Sequence, residues 1–113
     1  MPSLIWIDEV EIMYVSIRRY KTNADLVDKA MKKVEESFLP LVMKIPGFVN
    51  YYGVDAGDGV VAFVNFFQSE EGVEQSNKTA TKWVKENMTP YFPLPPDITA
   101  GKVLVDGKKP LTE

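Results

Sequence analysis

Histidine and cysteine are both missing from the 113 residues. Without them, no Ser-His-Asp or Cys-His nucleophile system can be assembled. The usual zinc and non-haem iron sites and a histidine-ligated haem are excluded with them. No disulfide can staple the chain. Basic blocks are absent too: Arg18-Arg19, Lys32-Lys33 and Lys108-Lys109 are isolated pairs in a chain of net charge −3. Nucleic acid is therefore not an expected partner. The apolar run at residues 4–7 is stopped by Asp8-Glu9 and has neither a basic start nor a small-residue cleavage site. No stretch approaches the ~20 apolar residues that a membrane-spanning helix requires. These absences predict a soluble cytoplasmic protein with no membrane contact. Any chemistry falls to Asp, Glu, Lys, Tyr, Arg or a bound molecule.

What is present is ordinary for a globular chain: 45% hydrophobic, 26% charged and 12% aromatic residues, enough for one domain but not for two cores. Residues 45–68 organise the rest. Pro46-Gly47 closes what precedes, and two β-rich runs, residues 48–54 and 60–67, flank Asp55-Ala56-Gly57-Asp58-Gly59. Aromatic and β-branched residues on both sides of a glycine-rich turn predict a hairpin. Its five residues point to a longer loop with Gly57 or Gly59 at positive φ rather than a two-residue type I′ turn.

Residues 1–12 read as an N-terminal arm, with Trp6 packed on its own domain or a partner, or as a backward extension of the first strand. Residues 13–20 alternate, with Met13, Val15 and Ile17 on one face and Tyr14, Ser16, Arg18 and Tyr20 on the other. Thr22 or Asn23 can cap the helix that follows. Leu26, Val27, Ala30, Met31, Val34, Phe38, Leu41, Val42 and Ile45 give it an apolar stripe. Pro40 falls inside this pattern and predicts a kink or break near Phe38-Leu39. Ser69 followed by Glu70 and Glu71 starts a second helix with Val73, Ala80, Trp83, Val84 and Met88 on its apolar face. Thr89-Pro90 ends it, residues 91–96 form a stiff connector, and residues 98–105 a last strand. Residues 106–113 are a polar tail.

The order β-α-β-β-α-β specifies an α+β, ferredoxin-like domain over residues 13–105, with two helices on one face of a four-stranded antiparallel sheet. Neither face of residues 60–67 is polar, and two helices can cover only one. A bare apolar sheet face marks an interface, and a homodimer packed sheet to sheet is expected.

The order of elements, Pro46-Gly47-Phe48 after the first helix, the aromatic third strand and the Ser69-x-Glu71 start of a tryptophan-bearing helix resemble the dimeric α+β barrel proteins. Among these the chain is most similar to the antibiotic-biosynthesis-monooxygenase-like (ABM-like) domains. The resemblance covers residues 13–105. It implies a dimeric α+β barrel with a ligand pocket between sheet and helices in each subunit. The group includes cofactor-independent monooxygenases of aromatic polyketides, haem-degrading enzymes and members of unknown function. Haem degradation uses a second-helix histidine that this chain lacks, and an asparagine where Arg18 stands. Trp83 matches the pocket tryptophan of both branches. The monooxygenase asparagine one turn before it is replaced by Thr79, with Asn77 six residues away.

Arg18, Tyr52, Asn65, Asn77 and Trp83 are the candidate ligand-pocket residues, with Tyr51 and Ser76 as further polar groups near the core. Each has a plain reading beside it: an ion pair for Arg18, packing for Trp83 and the tyrosines, a local hydrogen bond for Ser76 and Asn77. Asp55 and Asp58 are too few oxygens for calcium and belong to the turn. No metal and no cofactor is expected. Three functions fit: an ABM-like binder of a small, largely apolar molecule, a cofactor-independent monooxygenase or isomerase acting on an enolisable aromatic, and a structural or regulatory dimer without a ligand.

Overall fold

The computed structural model describes residues 12–109. Of the arm anticipated at residues 1–12, residues 1–11 with Trp6 lie outside the described part, as do the last four residues of the tail anticipated at 106–113. Strands β1 (Tyr14–Lys21), β2 (Phe48–Gly57), β3 (Val60–Phe67) and β4 (Asp97–Lys102) form one antiparallel sheet in the order β2-β3-β1-β4. Helices α1 (Val27–Lys33), α2 (Leu39–Val42) and α3 (Glu70–Asn87) complete the β-α-β-β-α-β plan, with α1 and α2 joined into one helical segment. Among the described residues no helix is long and apolar enough to cross a membrane.

Local chemistry sets the element ends. Asn23 accepts a hydrogen bond from the Asp25 amide, opening a 3-10 turn (Ala24–Leu26) that leads into α1. Pro40 interrupts the regular α-helix near Phe38-Leu39, as its position in the sequence predicts, without ending the helical segment. It sits in the first turn of α2, and a π-turn (Val34–Phe38) precedes it. There the Leu39 amide reaches back five residues to the Val34 carbonyl, so the wider turn absorbs the proline that an α-helical turn would reject. Ser69 caps α3 by accepting from the Gly72 amide at 3.1 Å.

The hairpin is tighter than its sequence suggests. β2 continues to Gly57, so only Asp58 and Gly59 lie between the strands, both at positive φ as a type I′ turn requires. The extra length is taken up by irregularities within β2, between Phe48 and Asn50 and between Asp55 and Gly57. β4 ends at Lys102 rather than residue 105, because its ladder partner β1 begins at Tyr14. One further backbone bond, Val103 N–H to Met13 C=O, extends the pairing.

The core lies between the sheet and the helices. Ala30, Val34, Phe38 and Val42 from the first helical segment meet Val61, Phe63 and Phe67 from β3 and Val73, Ala80 and Trp83 from α3. Helix α3 approaches β3 so closely that a Cβ on Gly72 would lie 2.7 Å from the Phe67 ring. The opposite sheet face carries half-buried Val15, Ile17, Val64 and Phe66 and exposed Tyr52, Val54 and Ile98.

Candidate functional site

In β1 it is the polar set that faces the helices. Ser16, Arg18 and Tyr20 are buried under α3 and the first helical segment, while Val15 and Ile17 lie on the open face. Burying a guanidinium normally calls for a carboxylate partner. Arg18 is 1% exposed, and among the described residues no carboxylate lies within ion-pair distance of it. Arg19 points the other way and pairs with Asp97 at 3.5 Å on the surface.

The partners of Arg18 are an amide and aromatic rings. Its Nη1 donates to Asn77 Oδ1 at 2.9 Å, and Ser16 Oγ donates to the same oxygen at 2.6 Å. Asn65 stands opposite Ser16 in the ladder and donates to the Ser16 carbonyl at 3.5 Å. Two buried atoms of this cluster, Arg18 Nε and Asn65 Oδ1, have no hydrogen-bond partner among the described residues. The guanidinium carbon lies 5.7 Å from the centre of the Phe38 ring. Phe38 in turn packs on Trp83 at 5.3 Å and on Tyr51 at 6.1 Å between ring centres.

Two phenols share this enclosure. Burial pushes the hydroxyls of Tyr20 and Tyr51 above the usual tyrosine range, and the neighbouring Arg18 guanidinium opposes the shift without cancelling it. At neutral pH both are protonated, and neither is a base.

The space enclosed by Arg18, Tyr20, Tyr51, Phe63 and Trp83 is about 10 Å3, the size of one water molecule. A larger groove of about 510 Å3 runs between α1 and β2, lined by Val27, Met31, Val34, Tyr51, Gly53 and Phe63, with the exposed Asp28, Lys32, Glu35 and Asp55 along it.

Of the residues anticipated from sequence, Arg18, Asn65, Asn77 and Trp83 sit on the helix-covered side of the sheet. Tyr52 does not. It is 54% exposed on the open face, 6.5 Å from the Phe66 ring centre, and Tyr51 is the inward-facing neighbour. The irregularity between Phe48 and Asn50 resets the alternation, so Phe48 and Tyr51 both pack on the core. Ser76 is buried but bonds to the Val73 carbonyl of its own helix at 2.8 Å. Tyr20 and Phe38 join the cluster without having been singled out. Their signal was the shared alternation with Arg18 and the helical stripe through Val34.

No protein-family model matches the sequence, and no curated protein does. Solved structures do match. A monooxygenase of Streptomyces coelicolor, in complex with nanaomycin D, aligns at TM-score 0.72 and 14% identity, over 92% of this chain and 98% of its own. A Caulobacter crescentus protein, inferred to be an antibiotic-biosynthesis monooxygenase, aligns at 0.65 and 13% identity, over 84% and 92%. A dimeric ferredoxin-like protein from an uncultured marine organism aligns at 0.66 and 14% identity, over 88% and 94%. The fold is that of the ABM-like proteins. Within this ABM-like fold, identities this low leave the activity unassigned, because one scaffold carries several chemistries.

Proposed function

We propose that this chain is an ABM-like binder of a small, largely apolar molecule held between sheet and helices, in a homodimer joined through the open sheet face. The observation that carries the reading is the buried Arg18 with no carboxylate beside it among the described residues. An uncompensated buried charge costs several kcal/mol, roughly, and a cation–π contact returns about 0.5–2 kcal/mol of that. A core meant only to pack would hold a methionine or leucine there. A ligand oxygen on the guanidinium would supply the missing counterpart, with Asn77 fixing the arginine and Trp83 and Phe38 giving flat apolar walls. The crystallised complex of the Streptomyces coelicolor protein with nanaomycin D is in keeping with ligand binding on this fold.

Cofactor-independent oxygenation or isomerisation of an enolisable aromatic is the second reading. Arg18 favours it as a group that would stabilise an enolate. The protonated phenols of Tyr20 and Tyr51 give no base, so such a substrate would have to be acidic enough to ionise against Arg18. The third reading, a dimer without a ligand, draws its support from the 10 Å3 enclosure, which is too small for a ring.

The test uses Trp83 as reporter. With two tryptophans in the chain, Trp6→Phe leaves Trp83 alone. Titration with 2-naphthol is expected to quench its fluorescence along a saturable curve, and to do so less in Asn77→Ala. Quenching that rises linearly without saturation would leave the dimer without a ligand as the surviving account.

A further inference from the structure

The enclosure beside Arg18 and the groove between α1 and β2 have three lining residues in common, Val34, Tyr51 and Phe63. We propose that the two spaces are halves of one site for an amphipathic planar acid, whose apolar body lies in the groove and whose anionic head reaches Arg18, with the Tyr51 side chain as the movable partition that sets which ligands enter. This rests on the small-molecule reading above and names the ligand's chemical class.

Size divides the work between the halves. The enclosure as it stands admits a single water-sized group and no ring, whereas the groove falls within the ~300–1,000 Å3 of ordinary ligand sites. Charge gives the ligand its direction. Along the groove stand Asp28, Glu35 and Asp55 against Lys32, so an acid head left there meets like charge. Inward, it meets a buried guanidinium whose Nε lacks an acceptor among the described residues.

The partition is built from parts that can yield. Tyr51 stands on β2, an edge strand with irregular pairing, and Val34 opens the π-turn rather than lying in regular α-helix. Beside them, Gly53 has no side chain, and the Met31 sulfur lies 3.2 Å from where a Cβ would be. A thioether on a flexible stem is easily displaced. Phe63, on interior strand β3, is the fixed floor.

Two fluorescent probes test the proposal on the full chain: 1-anilinonaphthalene-8-sulfonate and N-phenyl-1-naphthylamine, the same ring system with and without the anionic group. The wild-type chain is expected to prefer the sulfonate by about tenfold, the discrimination of one charge-assisted hydrogen bond. Arg18→Met should erase the preference, and Arg18→Lys, which keeps the charge, should retain part of it. Tyr51→Ala should tighten both probes and Tyr51→Trp weaken both, with circular dichroism confirming that each variant is folded. Tyr52→Ala, on the opposite face, should change neither. Binding of both probes with no preference, or indifferent to Tyr51, overturns the bipartite site while leaving a small-molecule binder standing. Sensitivity to Tyr52 instead would put the probes on the open sheet face and overturn it too. Failure of both probes to bind at all would count against the small-molecule reading itself.

Discussion

Arg18 determines the electrostatics of its surroundings more than any other single residue. Its charge acts on two buried phenols that are held in their protonated form, and this has a consequence for stability. In the unfolded chain a tyrosine ionises near pH 10, whereas Tyr20 and Tyr51 in the fold ionise higher. Below about pH 10 both states keep these protons and stability does not depend on them; above it the unfolded state loses them first and stability falls. The fall continues until the folded groups ionise as well. Urea midpoints measured from about pH 8 to pH 11 should therefore decline at the alkaline end, and less steeply in Tyr51→Phe. Parallel alkaline curves for the two proteins would contradict the assignment of Tyr51 to the Arg18 enclosure. Much of this cluster was legible in the sequence. Strict alternation in β1 placed Ser16, Arg18 and Tyr20 together, and helical spacing placed Trp83 on the core side. Tyr51 and Tyr52 were not separable, because one irregular residue in β2 decides which of them faces inward, and local sequence carries no clear mark of it.

At the level of elements, the expected interruption at Pro40 and the unexpected tightness of the hairpin have the same cause: an irregular stretch takes up a residue that regular geometry has no place for. Pro40 is accommodated by the π-turn ahead of it, and the residues beyond a two-residue hairpin loop are taken into β2. The turn is also a packing device. Gly59 has φ +79°, its carbonyl accepts from the Thr22 amide at 2.7 Å, and a Cβ there would overlap the Thr22 carbonyl oxygen. Gly57 has φ +89° with nothing within 4 Å. Gly57→Ala should therefore cost only the left-handed backbone penalty, about 1–2 kcal/mol. Gly59→Ala adds a backbone clash to that penalty and should cost about 3 kcal/mol or more. Thermal melts of the two variants check this, and equal losses would mean that the hairpin does not dock on the end of β1 as described.

The described part of the molecule is longer than a domain of its size needs to be. Its radius of gyration is 16.3 Å and its extents are 57 × 31 × 23 Å, against about 13 Å expected for the radius of gyration of a compact chain near 100 residues. Beyond Val103 the chain runs on without strand pairing, with Leu104 85% and Val105 89% exposed. Together with the uncovered Tyr52, Val54, Phe66 and Ile98, these are apolar groups suited to a second copy. Burying three or four large side chains per subunit at about 1.5–3 kcal/mol each is enough to hold a pair together. Sedimentation should show a dimer for the wild-type chain and a monomer for the double variant Val54→Glu, Ile98→Glu, whose side chains are already exposed in the single subunit. The melting temperature of the wild-type dimer should rise with protein concentration, and that of the variant should not. A wild-type monomer across the concentration range would refute the sheet-to-sheet pair. Of this level the sequence disclosed the bare apolar face but not the outline of the molecule. Strand alternation exposes a face, whereas the end of β4 depends on where its neighbour β1 begins.

The irregular pairing of β2 has one more effect. β2 is one border of the sheet, and a straight border is a template onto which further chains add strand by strand. Its N–H and C=O groups fall out of even spacing at both ends of the strand, and its far end carries Asp55. Sideways growth is disfavoured there, and for the homodimer proposed above this favours a closed pair of copies over a strand-by-strand fibre.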